Sequence, residues 1–254
     1  MKADLESGTV CSRVDGGIGR VVFAHPKSNS LPGLLLRSIA AEIDTLGQRS
    51  DVHVIVLSSA GDGAFCAGAS FSELQSIKDQ VGGREFFLGF SHVILALRRC
   101  PKFVIARVHG KAVGGGVGIA AAADYTLAIS SAAAKLSELA LGIGPFVVGP
   151  AVERRIGLSA FSAMSIDFEW RDAAWCKANG LYHEVYPDVA ALDAAVEALA
   201  KKLATSSVPA MTALKKVLWE GTESWESLLP QRASVSGELV LSDFTKEFLS
   251  RATK

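Results

Sequence analysis

The sequence has no excess charge of either sign: Lys+Arg and Asp+Glu each number 26 in 254 residues. That balance supplies no field to hold nucleic acid, and no block of like charge suggests an arm for a polyanion. Cysteine is sparse, and Cys11, Cys66, Cys100 and Cys176 form no C-x-x-C pair. Neither a zinc site nor a disulfide framework follows from such spacing; reduced thiols of a cytosolic protein fit it better. Long apolar runs are missing as well, because Gly or charge interrupts each one well short of a membrane span, and MKADLESGTVCSRVDGG lacks the apolar core of a signal peptide. The expectation is a soluble, cytoplasmic protein without membrane or nucleic-acid partners. With 49% hydrophobic residues the chain has ample material for a core, so disorder is excluded and a small-molecule substrate is the better prior.

Patterning along the chain predicts α/β architecture. Two β-rich runs, 10–14 and 18–24, flank Asp15-Gly16-Gly17, which has hairpin turn chemistry. Apolar residues at helical spacing from Leu34 to Leu46 lead into the short buried strand VHVIVLSS. A loop follows, then a helix from near Phe71, a second over Glu85–Leu97, a strand in KFVIARVHG, an Ala-rich helix after GGGVG, and a strand in YTLAIS. Strand and helix alternate as they do in parallel crossover units. Beyond Pro187 the pattern turns helical. The expected organisation is a core over residues 1–195 and a helical region over 196–254.

Two glycine-rich segments, Ala64-Phe-Cys-Ala-Gly-Ala69 and Gly110-Lys-Ala-Val-Gly-Gly-Gly-Val-Gly118, each fall where a strand gives way to a helix. Glycine lets a ligand approach main-chain N–H groups, and a helix N-terminus concentrates unpaired donors. Two such donors meeting at one point would make an oxyanion hole. The same glycines also serve tight turns and close packing, and Gly116-x-Gly118-x-x-Ala121 formally satisfies a dinucleotide-binding pattern. A phosphate loop is excluded because Lys111 precedes the triple glycine. There is no G-x-S-x-G elbow for a serine hydrolase, and the five histidines assemble into no metal or nucleophile motif.

GAFCAGASFSEL and HGKAVGGGVGIAAAADYTLA resemble the two oxyanion segments of the enoyl-CoA hydratase/isomerase (crotonase) family, at the family's spacing, and SELALGIGP resembles the segment that carries its catalytic glutamate. The likeness covers nearly the whole chain. It implies a crotonase-like ββα spiral core with a C-terminal helical oligomerisation region, assembled as homotrimers or hexamers, and a site that needs no metal or redox cofactor because coenzyme A arrives as part of the substrate. It implies that the N–H groups of Ala69 and Gly115 hold the thioester oxygen, each worth about 3 kcal/mol as charge develops there. Glu138 is the implied acid/base, flanked by Leu136, Leu139, Ala140 and Leu141. Ala64, Ala67, Gly68, Gly114 and Phe146 are the implied substrate-binding residues, together with Lys27 as a candidate phosphate contact. Phe146, Val147 and Val148 are candidates for the acyl pocket wall.

Two departures from the family pattern stand out. Gly118 occupies the position of the hydratases' first glutamate, which leaves one carboxylate where water addition uses two; a one-carboxylate pattern resembles the family's Δ3,Δ2-enoyl-CoA isomerases. Ser70 replaces the more usual Asp and bears on loop anchoring. Asp124 and Glu73 read as helix-end residues, and Lys215-Lys216 as a polar helix face or a contact to the coenzyme A nucleotide. The expected activity is enoyl-CoA isomerisation through an enolate. The alternatives are a hydratase with a second acid from elsewhere and a non-catalytic acyl-CoA-binding subunit.

Overall fold

The two glycines between the first strands set the start of the chain. In the computed structural model, which describes residues 7–252, Gly16 and Gly17 both take positive φ (55° and 80°), as the tight turn that matches strand twist requires. They join β1 (Thr9–Asp15) and β2 (Ile18–Ala24) in antiparallel register with Asp15 opposite Ile18. From there every pairing in the main sheet is parallel. β3 (Val54–Ser59), β4 (Phe103–Val108), β6 (Tyr125–Ile129) and β9 (Glu184–Tyr186) extend it in the order β1-β2-β3-β4-β6-β9. A small second sheet comprises β5 (Ala112–Val113), β7 (Ala133–Lys135) and β8 (Arg171–Asp172).

Helices cover both faces of the main sheet, so its inner strands are mostly buried. On one side α1 (Gly33–Gln48) presents Leu35, Leu36, Ile39, Ile43 and Leu46, a helical apolar stripe, to β1, β2 and β3. Its first N–H, on Gly33, donates to Glu73 Oε2 at 2.7 Å. That carboxylate also suits the positive end of the helix, so Glu73 is a helix-end acid as expected, but for α1. Glu73 itself lies on α2 (Phe71–Ser76), and α3 (Gln80–Arg99) packs across α1. α3 starts before the expected Glu85 because Asp79 caps it, accepting from Gly82 N at 2.8 Å. Next in the chain are α4 (Gly115–Ala122), α5 (Gly149–Asp167, interrupted at Gly157) and α6 (Ala173–Ala178).

The opposite face is covered by α7 (Val189–Ala204), whose Leu192, Val196 and Ala200 are buried against β3, β4 and β6. Residue 195, the expected end of the core, lies inside this helix. α8 (Val208–Leu218), α9 (Trp225–Leu239) and α10 (Asp243–Ala252) complete the described chain. No helix among the described residues is long and apolar enough to cross a membrane.

The attachment of α8 replaces two readings made from sequence. Lys215 is neither part of a solvated face nor free to meet a nucleotide: it is 3% exposed and donates to Leu97 O (2.9 Å), Lys102 O (2.8 Å) and Asp124 Oδ2 (2.7 Å). Asp124 follows the C-terminus of α4, where an acid gains nothing from the helix dipole. Its carboxylate instead accepts from Lys215, from Val104 N at 2.7 Å and from Trp219 Nε1 at 2.8 Å, tying α8 to the core. Lys216 stays exposed. Removing one partner of a buried ion pair strands the other charge and typically costs about 3–5 kcal/mol. Lys215→Met is therefore expected to destabilise the protein by about that amount in urea titrations, while Lys216→Met changes it by less than about 0.5 kcal/mol.

Candidate active site

The site is built where two loops run side by side. Cys66 pairs with Ala112 in a parallel bridge, Cys66 N donating to Lys111 O at 3.1 Å and Val113 N to Cys66 O at 2.9 Å. Ala69 and Gly115 are each the third residue beyond this pair, on the two segments that it joins. A second bridge, Leu31 with Ala69, fixes direction: Leu31 N donates to Gly68 O (2.8 Å) and Ser70 N donates to Leu31 O (3.2 Å). Successive peptide groups of an extended chain point to opposite sides, so the N–H of Ala69 faces away from Leu31. Gly115 is the first residue of α4, where an N–H has no partner within the helix. Neither N–H finds an acceptor among the described residues.

Both residues line one half-open cavity with about 540 Å³ of empty space, its mouth included. Ala67, Gly68, Gly114, Glu138 and Phe146 line the same cavity. Glu138 precedes the single-turn helix Leu139–Leu141, which Gly142 ends in the left-handed conformation. Its Oε1 lies 3.0 Å from the point where a Cβ on Gly114 would sit, so the carboxyl rests directly beside the second glycine segment. Its Oε2 is sealed from solvent with no hydrogen-bond partner among the described residues. Burial raises the Glu138 pKa from 4.5 to about 7, against a smaller opposite pull from the N–H groups of Glu138 and Ser137. No other lining residue carries an acid or a base.

Two of the sequence-derived binding residues stand apart from the cavity. Lys27 is exposed on its loop. Ala64 does not line the cavity; its carbonyl accepts from Asn29 Nδ2 at 2.9 Å. Asn29, which the sequence reading passed over, also donates to Ala60 O (2.9 Å) and accepts from His25 N (3.0 Å). With Ala67 N donating to Ser28 O at 3.1 Å, it clamps the 25–31 loop to the first glycine segment. Ser70 caps α2, accepting from Glu73 N at 3.4 Å, so the departure at this position retains an anchor.

Position 118 explains the absent carboxylate in steric terms. A Cβ on Gly118 would meet Val148 Cγ1 at 2.5 Å and Val148 Cβ at 2.6 Å, closer than real side chains approach. Val148 itself lines the cavity. The space of a second acid is filled by valine, and the same crowding leaves the dinucleotide-binding pattern without room for a pyrophosphate. The rest of the wall is mostly aromatic and aliphatic, with Phe71, Leu74, Phe87, Phe90 and Ile143, to which the sequence analysis assigned no role, and it includes Ser137 beside Glu138. Ser236 of α9 reaches it from far along the chain. Among the described residues no group of three or more His, Cys, Asp or Glu could hold a metal.

Fold and site define an α/β protein with one buried acid in an apolar cleft bordered by unpaired main-chain N–H groups. A family model described as enoyl-CoA hydratase/isomerase matches residues 13–242, and the chain belongs to that family. The probable enoyl-CoA hydratase of Rhizobium meliloti (strain 1021) is 30% identical to it over 214 residues, 83% of this chain and 80% of that protein. The peroxisomal Delta(3,5)-Delta(2,4)-dienoyl-CoA isomerase of Arabidopsis thaliana is 30% identical over 229 residues, 82% and 79% of the two chains. Its fold is shared with the crystal structure of enoyl-CoA hydratase from Bacillus halodurans, with a TM-score of 0.88 at 23% identity over 95% of this chain and 99% of the other. The crotonase-like α/β architecture expected from sequence is thereby established, and the chain is an enzyme of the hydratase/isomerase family acting on acyl-CoA.

A carboxyl whose pKa is raised on folding contributes stability below its unfolded value and loses it as pH rises through its folded value. For Glu138 that window runs from about 4.5 to about 7. Glu138→Gln, which has no such titration, is expected to gain on the native protein by up to about 3 kcal/mol between pH 4.5 and pH 8. Urea titrations of both proteins across this range measure the change.

Proposed function

We propose that the enzyme moves the double bond of an enoyl-CoA by proton transfer through an enolate, with Glu138 as the single acid/base and the N–H groups of Ala69 and Gly115 as oxyanion donors. The observation that carries this reading is the lone carboxyl: among the described residues Glu138 is the only titratable side chain lining the cavity, and Val148 fills the space beside Gly118. As a carboxylate, Glu138 would take a proton from C2 of a 3-enoyl thioester. The electron pair moves into the carbonyl, where two fixed donors favour the growing negative charge over the neutral ground state. The proton then returns at C4 and the double bond settles between C2 and C3. One carboxyl suffices because the acid formed in the first step is the donor in the second, and a pKa of about 7 suits both directions.

Hydration is the second reading, favoured by the names of relatives such as the short-chain-enoyl-CoA hydratase of Clostridium acetobutylicum, 28% identical over 221 residues. It needs a further group to position water. Incubation with 2-enoyl-CoA and 3-enoyl-CoA in heavy water separates the readings. Isomerisation gives a shifted double bond, with deuterium only to the extent that the Glu138 proton exchanges with solvent between the two steps, hydration gives a 3-hydroxyacyl-CoA, and a binding subunit changes neither. The expected result is the first, with kcat/KM rising through about pH 7; Glu138→Gln should lose turnover by at least about a hundredfold while binding acyl-CoA as before. Formation of the 3-hydroxyacyl product, or unchanged turnover in the variant, refutes the proposal.

Lys27 completes the reading as a contact for a coenzyme A phosphate, supported by its exposed place on the loop that braces the first glycine segment. Assembly as a homotrimer or hexamer is part of the same proposal, as is a cytoplasmic location. Self-association is supported by apolar side chains left exposed on α5, Leu158 at 65% and Ile166 at 69%. Light scattering on the purified protein is expected to give three or six times the 26.7 kDa chain mass; a monomer overturns this part.

A further inference from the structure

Ser236 is one of two serines on the cavity wall, the other being Ser137 beside Glu138. It is 1% exposed, yet it lines a space otherwise bounded mostly by aromatic and aliphatic side chains and glycine. A serine within a helix commonly satisfies its hydroxyl on the carbonyl four residues back. Ser38, Ser165 and Ser234 do so, donating to Leu34 O (3.0 Å), Phe161 O (2.8 Å) and Pro230 O (3.3 Å). Ser236, two residues beyond Ser234 on α9, makes neither that bond nor any other among the described residues. Its oxygen is not among the fully sealed, unpartnered atoms, so it keeps access to water in the free protein, and a ligand that covers it without replacing that bond loses about 1–3 kcal/mol.

Its position is set by rigid contacts. α9 crosses α3 backbone to backbone at Gly83 and Gly237, where a Cβ on Gly83 would come within 2.5 Å of Gly237 O and one on Gly237 within 2.5 Å of Arg84 N. One turn before Ser236, Arg232 Nη1 donates to Phe146 O at 3.3 Å, joining α9 to another part of the cavity wall. The hydroxyl is therefore held at the cavity by packing that leaves α9 little freedom to withdraw it.

We propose that Ser236 is a specificity-determining residue that hydrogen-bonds a neutral oxygen substituent, a hydroxyl or oxo group, on the acyl chain beyond the reacting carbons. A charged end group is disfavoured because no Lys, Arg or His lines the cavity to offset its desolvation. A plain hydrocarbon chain would cover the hydroxyl and leave it unpaired; an oxygenated chain replaces the bond to water that Ser236 loses on binding. The inference rests on the acyl-CoA site itself and not on whether that site isomerises or hydrates.

Calorimetric binding of saturated acyl-CoAs tests it apart from turnover. The ligands are butanoyl- to octanoyl-CoA, each compared with its terminal-hydroxyl counterpart. At the chain length that brings the hydroxyl to Ser236, the hydroxylated ligand is expected to bind the native protein about fivefold more tightly than the plain one. Ser236→Ala, a substitution helices accept readily, should erase that preference by weakening the hydroxylated ligand alone, and Ser236→Thr should retain it. The proposal is overturned if no hydroxylated ligand in the series binds the native protein better than its plain partner, or if the preference persists in Ser236→Ala. The comparison on native protein stands even where a variant fails to fold. Absence of isomerisation alongside an intact hydroxyl preference would reject the proposed reaction and leave this assignment in place.

Discussion

The site depends on a parallel backbone contact only one residue wide. Cys66 lies in the loop after β3 and Ala112 opens β5 after β4, and their pairing joins the two glycine segments. Ala69 and Gly115, each three residues beyond the bridge, line one cavity. Around this contact the protein arranges backing of three kinds. The 25–31 loop braces the first segment through backbone bonds and Asn29, Lys135 O accepts from Gly114 N at 2.8 Å on the second, and Phe90 of α3 lies against Gly115. Donors on such a frame need little reorganisation when a ligand's charge changes, the condition under which fixed dipoles act most strongly.

The environment of Glu138 shows what such a frame asks of stability. The carboxyl is placed among leucine, isoleucine and glycine with one oxygen unsatisfied, an arrangement that opposes ionisation and makes the acid useful near neutrality. A surface glutamate would be cheaper to fold and poorer at exchanging a proton at pH 7. The compensating stability comes from elsewhere, including the Lys215–Asp124 anchor, whose charges are matched by further hydrogen bonds from Val104 and Trp219.

How much of this was legible in sequence follows from the range of the interactions. The hairpin, α1, β3, β4 and α7 are written in local alternation, helical spacing and Gly-Gly turn chemistry, so they could be read directly. The segments that border the cavity were legible because glycine runs at strand ends are rare enough to carry information, and because their order resembles a family. β5, β7 and β8 escaped notice since strands of two or three residues carry no periodicity. The role of Lys215 was hidden for a different reason: its three acceptors come from two distant stretches of chain, the end of α3 with the turn that leads to β4, and Asp124, and a lysine pair on a helix looks solvated until the partners are known. Ser236 gave no signal, because only the crossing of α3 and α9 brings that residue to the cavity wall.

The contact between Gly118 and Val148 also bears on how this chain's chemistry can change. A glutamate introduced at 118 alone would drive its first side-chain carbon into the valine, and truncating the valine to alanine would still leave a carbon 2.6 Å from that atom. Gaining a second carboxyl thus demands that the start of α5 move as well, a concerted change across two helices. A lone side chain added at 118 therefore meets a packing barrier in this backbone.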